Sequence, residues 1–169
     1  MVDYQTLSIV LTGIGLIIAL TYYALQIRNQ NETRRTQLFM EVKKAMDDPD
    51  WWDRYLRVVY TYKWEDYDDY EEKYGQETHP EKNKDIRSMI SFFHGLGVLV
   101  TTGRIDIELL GMQMSALLMP FWDKMEPVFI EMSKRENRPY AFVYLEFLKD
   151  EVLKRRTFPR GKAAYLGKK

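Results

Sequence analysis

Six carboxylates crowd one short stretch: Glu65, Asp66, Asp68, Asp69, Glu71 and Glu72. Oxygen ligands at that density raise the question of a calcium loop. An EF-hand needs such ligands at alternating positions and a glycine at the sixth. Counted from Asp66, the fifth position is Tyr70 and the sixth is Glu71, so the pattern fails. A di-iron carboxylate bundle would place Glu three residues before each ligating histidine. Here Gln76 precedes His79 and Ser91 precedes His94 at that spacing. A solvated helix or loop face is the plain reading of the acidic run. A carboxylate- or metal-dependent enzyme built on residues 65–72 is the sharper alternative.

Nucleophilic chemistry has little to draw on. Cysteine is absent, which removes disulfides, thiolate metal sites and a thiol nucleophile together. With two histidines and no G-x-S-x-G elbow, no Ser-His-Asp arrangement can be assembled. His94 follows Phe92 and Phe93 and reads as a core or boundary histidine. Gly95, Gly97 and Gly103 lie within or just after a helical pattern, where they serve packing and capping and form no phosphate loop. No catalytic residue, metal ligand or cofactor is therefore assigned.

The elements that hold these residues follow from length, charge and apolar periodicity. The 169 residues suffice for one ordinary domain with an appended element. Twenty-five basic residues balance 25 acidic ones, which argues against nucleic acid as a partner of the whole chain. All the basic residues, and every acidic one except Asp3, come after Ile27.

From Thr6 to Ile27 the chain reads TLSIVLTGIGLIIALTYYALQI, without a charge. Twenty-two residues at helical rise cover about 33 Å, the thickness of a bilayer's hydrocarbon core. Tyr4, Tyr22 and Tyr23 suit the interfacial aromatic belts. The stretch before the span carries Asp3 and no Lys or Arg, unlike a secretory signal, so the span reads as a retained anchor. Arg28, Arg34, Arg35, Lys43 and Lys44 follow it, and the positive-inside rule then puts the following domain in the cytoplasm and the N-terminus outside. Ser8, Thr12, Gly15 and Ala19 recur at intervals of four, three and four along one helical stripe. Small residues let two membrane helices approach closely, so the stripe is a candidate helix–helix contact with a second copy or another membrane protein.

Beyond the span, helix formers continue without Gly or Pro as far as Pro49, predicting a stalk whose apolar edge is Leu38, Val42 and Met46. Asp48-Pro49 predicts a new helix with Trp52, Tyr55, Leu56, Val59 and Tyr62 on its inner face. The acidic aromatic stretch is expected to form a short helix or ordered loop. Pro80 opens a helix striped by Ile86, Met89, Ile90, Phe93, Gly97 and Val100, with Gly103 as its stop. Asp106 should cap another, which Pro120 is expected to break or kink. Phe121, Trp122, Met125, Phe129 and Met132 then make a fresh stripe. A last helix is expected from Pro139, burying Ala141, Leu145, Leu148 and Val152.

The final sixteen residues hold seven basic side chains and no acidic one: Lys154, Arg155, Arg156, Arg160, Lys162, Lys168 and Lys169. Anionic membrane lipid, nucleic acid or an acidic protein could each receive such a tail, and a merely solubilising tail is the plain alternative.

The segment SFFHGLGVLVTTGRIDIELL, then PFWDKMEPVF and RPYAFVYLEFL, resembles a widespread prokaryotic family of uncharacterised small membrane proteins, known only as a domain of unknown function. The shared pattern is FF-x-x-[LI]-G-x-L-V-x-x-G-x-[IL]-D over residues 92–106, W-[ED]-K at 122–124 and Y-x-x-F/L-E-x-L near 144–148. The span TLSIVLTGIGLIIALTYYALQIRNQN is similar to archaeal-looking anchors of the same group. The resemblance implies the topology and the helical fold and carries over no catalytic residue.

The sequence thus predicts an all-α chain: a membrane anchor over 1–27, a helical stalk over 28–47, a cytoplasmic bundle of about five helices over 48–153, and a basic tail over 154–169. The expected function is that of a membrane-anchored, non-enzymatic interaction or scaffold protein, with a partner in the membrane and a protein partner in the cytoplasm. An accessory subunit of a larger membrane complex is the alternative.

Overall fold

A computed structural model describes residues 3–154, and all regular structure among them is helical. The first helix, α1 (Tyr4–Met46), is a single unbroken element of 43 residues, about 64 Å long. Asp3 caps it by accepting from the Gln5 backbone N–H. Anchor and stalk are therefore one helix. It is long and apolar enough to cross a membrane, and its apolar stretch is wholly exposed. Among the described residues, its last turns meet the bundle: Leu38 and Val42 pack against the core and Met46 enters it.

Five helices then build the bundle: α2 (Pro49–Leu56), α3 (Tyr67–Tyr74), α4 (Pro80–Thr101), α5 (Ile107–Arg135) and α6 (Val143–Lys154). The caps predicted at Asp48 and Asp106 hold, and Asp66 adds one that was not predicted. Asp48 accepts from the Asp50 N–H, Asp66 from Asp69 and Asp106 from Glu108, at 2.8–2.9 Å. Gly103, at φ 64°, ends α4, with the Arg104 N–H on the Leu99 carbonyl and the Gly103 N–H on Val100. Asn137, at φ 52°, ends α5 by the same pattern.

Three expectations need correction. First, the inner face of α2 is Trp51, Tyr55, Val58, Val59 and Tyr62, while Trp52 and Leu56 are 38 % and 45 % exposed. Trp51 stacks on Tyr55 and sets its edge against Phe92 and Phe93, which fixes the rotation of the helix. A π-helical turn (Arg57–Thr61), closed by the Tyr62 N–H on the Arg57 carbonyl, then holds Val58, Val59 and Tyr62 on the core. Second, α5 is not broken at Pro120 but continues as one helix through Pro120 and Pro127. Leu118, Phe121, Trp122 and Met125 are all buried around the first proline, and the Tyr55 hydroxyl donates to the Leu117 carbonyl beside it. Tertiary packing thus outweighs the helix bond that proline removes. Third, the last helix begins at Val143, because residues 139–142 form turns, and Ala141 is only half-buried while Leu145, Leu148 and Val152 are buried as expected.

The acidic stretch is helical as α3, and it buries Tyr70 and Tyr74 beneath its carboxylates. Helix α6 packs on α4 at Gly97, where a Cβ would lie 2.6 Å from the Tyr144 carbonyl carbon. The aromatic core extends from Phe93 and Phe121 to Phe129, which stacks on Phe142 at 4.2 Å.

Candidate functional site

The stripe Ser8, Thr12, Gly15 and Ala19 is exposed along α1. The Thr12 hydroxyl donates to the Ser8 carbonyl at 2.8 Å, and Thr21 donates to Ile17 in the same way. Both hydroxyls are satisfied inside the helix, as a lipid setting requires. A Cβ at Gly15 would meet nothing within 4 Å, so the face is free to receive another helix.

At about 100° per residue, the line of the stripe continues through Tyr22, Gln26, Gln30, Thr33 and Gln37, which flank a shallow furrow on the stalk. These five carry no charge, and Arg34 lines the furrow beside them. Leu38, Val42 and Met46, which dock the stalk on the bundle, lie roughly on the opposite side of the helix. Arg28 and Arg35 fall on that opposite side as well. The stripe and its polar continuation thus form one face, edged by Arg34 and turned away from the residues that dock the bundle.

The carboxylates of the acidic run are dispersed among separate tasks. Asp66 caps α3, and Asp69 accepts from the Glu65 N–H and from Lys73. Asp68 pairs with Arg135 at 2.5 Å, and Glu71 accepts from the Tyr67 hydroxyl at 3.1 Å. The hydrogen bond from Arg135 holds the Asp68 carboxyl below its usual range, and that from Lys73 does the same for Asp69. Among the described residues, no three His, Asp or Glu side chains converge to hold a metal ion. His94 is half-buried and sets its ring edge-on to Tyr144, in line with the boundary role expected of it.

Two polar clusters inside the bundle were not visible in the sequence. Asp85, 9 % exposed, accepts two hydrogen bonds from Arg57, at 2.7 and 3.1 Å, and one from the Tyr62 hydroxyl at 2.8 Å. Burial pushes its carboxyl up, but the bonds from Arg57 and Tyr62 and the Arg57 charge outweigh that and hold it below the usual value. For Tyr62, burial and the Asp85 carboxylate push the phenol up to about 12. Lys124 of α5 donates to the Val59 carbonyl at 3.0 Å and to that of Tyr62, and its ammonium lies 4.6 Å from the centre of the Trp64 ring. It thereby caps the carbonyl end of the π turn. Burial, and then the nearby Lys63, lower the Lys124 amine to about 8. These partners stand 23 to 65 residues apart in the chain, so no local spacing marks them. Both clusters tie α2 and the π turn to α4 and α5, and each member is occupied with protein partners.

A groove of about 1070 Å³ lies where α3, the first half of α4 and the end of α5 meet, walled by Glu71, Glu77, Arg87, Glu136 and Arg138 over Ile90 and Phe142. The basic side chains Arg155, Arg156, Arg160, Lys162, Lys168 and Lys169 lie outside the described residues.

Compared with known proteins, residues 9–151 match the family model described as Domain of unknown function (DUF4760). No curated protein and no solved structure matches the chain.

Proposed function

Because the chain belongs to the DUF4760 family of unknown function, we propose from its own residues that it is a membrane-anchored, non-enzymatic interaction module. Helix α1 crosses the bilayer, and the basic residues after Ile27 hold the bundle on the cytoplasmic side. One observation carries this reading. The small-residue face of α1 and its polar continuation, edged by Arg34, point away from the face that docks the bundle. A second helix can pack along it from Ser8 to Gln37 without meeting the first copy's own domain. Two copies side by side in parallel would bring their Arg34 side chains to the edge of the contact, and Gln26, Gln30 and Gln37 could pair across it. The polar-walled groove at α3, α4 and α5 supports a soluble protein partner.

The same face would equally accept a foreign span, which is the accessory-subunit reading. Gentle extraction from native membranes, followed by the mass and composition of the particle, separates the two. A particle of this chain alone, in two copies, supports self-association. A discrete particle with other membrane proteins makes it an accessory subunit. A monomer free of partners would overturn the interaction reading. Catalysis by the acidic run is checked in parallel: metal-dependent turnover lost on replacing Asp66, Asp69 and Glu71 would displace the non-enzymatic reading.

A further inference from the structure

We infer that the groove between α5 and α6 seats an amphipathic helix of another protein, one that carries Lys or Arg a turn away from an aliphatic side chain. The inference rests on the interaction-module reading above and adds a place and a chemistry for the partner. Outside α1, exposed large apolar side chains gather on the second half of α5, the turn after it and α6; among the described residues only Trp52, Leu56 and Tyr60 lie elsewhere. An exposed apolar patch edged by polar groups marks a contact surface. Within it α5 and α6 enclose a groove of about 460 Å³, floored by the rings of Trp122, Phe129 and Phe142.

The two helices run in opposite directions. Phe142 stacks on Phe129 at 4.2 Å, and the Lys149 ammonium lies 4.7 Å from the centre of the Trp122 ring. This register sets Ile130 level with Val143 and, one turn further along, Glu126 level with Glu146 across the groove. Ile130 and Val143 are 50 % and 42 % exposed, and Phe147 continues their row one turn along α6. Glu126 and Glu146 are exposed too, and among the described residues no base pairs with either carboxylate. The bases beside them are engaged elsewhere: Lys134 pairs with Glu131, and Lys149 with Asp150. Charge then selects the occupant. An anionic leaflet would meet two carboxylates at the edge of the patch, which disfavours a membrane contact. A second copy, seated about a two-fold axis, would bring the same carboxylates of both copies into one contact. A helix bearing Lys or Arg supplies the base that both carboxylates lack, while its aliphatic face covers Ile130, Val143 and Phe147.

The test uses the full-length protein in phosphatidylcholine nanodiscs and a fluorescein-labelled helical peptide of Leu and Lys, with the leucines on one face. Anisotropy should report binding of this peptide and none of its counterpart with Glu for every Lys. An exposed ion pair is worth up to about fivefold in affinity, so Glu126→Gln with Glu146→Gln should weaken binding by roughly tenfold. Val143→Ser with Phe147→Ser should weaken it by about tenfold or more through lost apolar burial. Glu72→Gln with Glu77→Gln, in the groove on the other side of Phe142, should leave it nearly unchanged. Equal losses from the two glutamate pairs, or no loss from either, overturn the inference. A Lys peptide that binds only once residues 155–169 are removed makes the chain's own basic tail the occupant and overturns it as well. A particle that falls from two copies to one on Phe147→Ser does so in favour of a second copy. Each of these failures leaves the module reading standing wherever the native particle still holds a second protein.

Discussion

Two glycines two residues apart on α4 should respond oppositely to the same substitution. At Gly97 a new Cβ would lie 2.6 Å from the Tyr144 carbonyl carbon and 3.2 Å from its Cβ, with the carbonyl oxygen closer still. The obstacle is mainly backbone, so relief requires α6 to slide and unseat Leu145, Leu148 and Val152, all buried. Overpacking of this kind costs about 3 kcal/mol at the upper end of its usual range. Replacing glycine by alanine in a helix returns about 0.8–1 kcal/mol. The net expectation for Gly97→Ala is a loss of about 2 kcal/mol. At Gly95 a Cβ meets nothing within 4 Å, so Gly95→Ala should keep the propensity gain alone. Thermal unfolding in mild detergent, followed by tryptophan fluorescence, isolates the bundle, because Trp51, Trp52, Trp64 and Trp122 all lie outside α1. For a domain of this size, 1 kcal/mol moves Tm by about 4–8 °C. Gly97→Ala should thus lower Tm by roughly 10 °C and Gly95→Ala raise it by a few degrees. Shifts of the same sign and size at both positions would refute the close approach of α4 and α6.

Asp85→Asn should cost about 1–2 kcal/mol in urea unfolding at pH 7, below the range for a fully buried ion pair because Arg57 keeps access to water. Since the fold holds the Asp85 carboxyl below its unfolded value, that deficit should be full above about pH 4 and vanish as pH falls through the folded-state value. Lys124 shows the opposite case. With its amine lowered to about 8 in the fold against about 10.4 unfolded, the unfolded chain binds more protons between these values, so this group makes stability rise with pH across that window. Lys124→Met should remove that rise. In the span, Gly15→Ile should weaken self-association in bilayers more than tenfold, whereas Gly13→Ile, off the stripe, should leave it nearly unchanged. Energy transfer between labelled copies would read both, and equal losses would remove the stripe from the contact.

Much of the fold was legible because it depends on neighbours in sequence. Asp48 and Asp106 cap helices through N–H groups two residues on, and Gly103 closes α4 through carbonyls three to five residues back. The uncharged run of α1 declares a membrane-length helix by its length alone, and the stripe of α4 is a matter of period. Other features needed the assembled chain. Pro120 reads locally as a break, yet α5 continues because the surrounding side chains are buried together. The inner face of α2 turns on which of two adjacent tryptophans finds Phe92 and Phe93, a choice made forty residues away. Gly97 looks like any helical glycine until Tyr144 lies on it. Asp85 and Lys124 are ordinary charged residues until folding sets them against Arg57, Tyr62 and the end of the π turn. The sequence by itself determined the caps at Asp48 and Asp106, the length and apolar character of α1 and the register of its small residues, since these depend on groups within one or two helical turns. The tertiary structure alone decided which face of α1 stays free and which polar groups are buried, since those depend on partners that only chain folding brings within bonding distance.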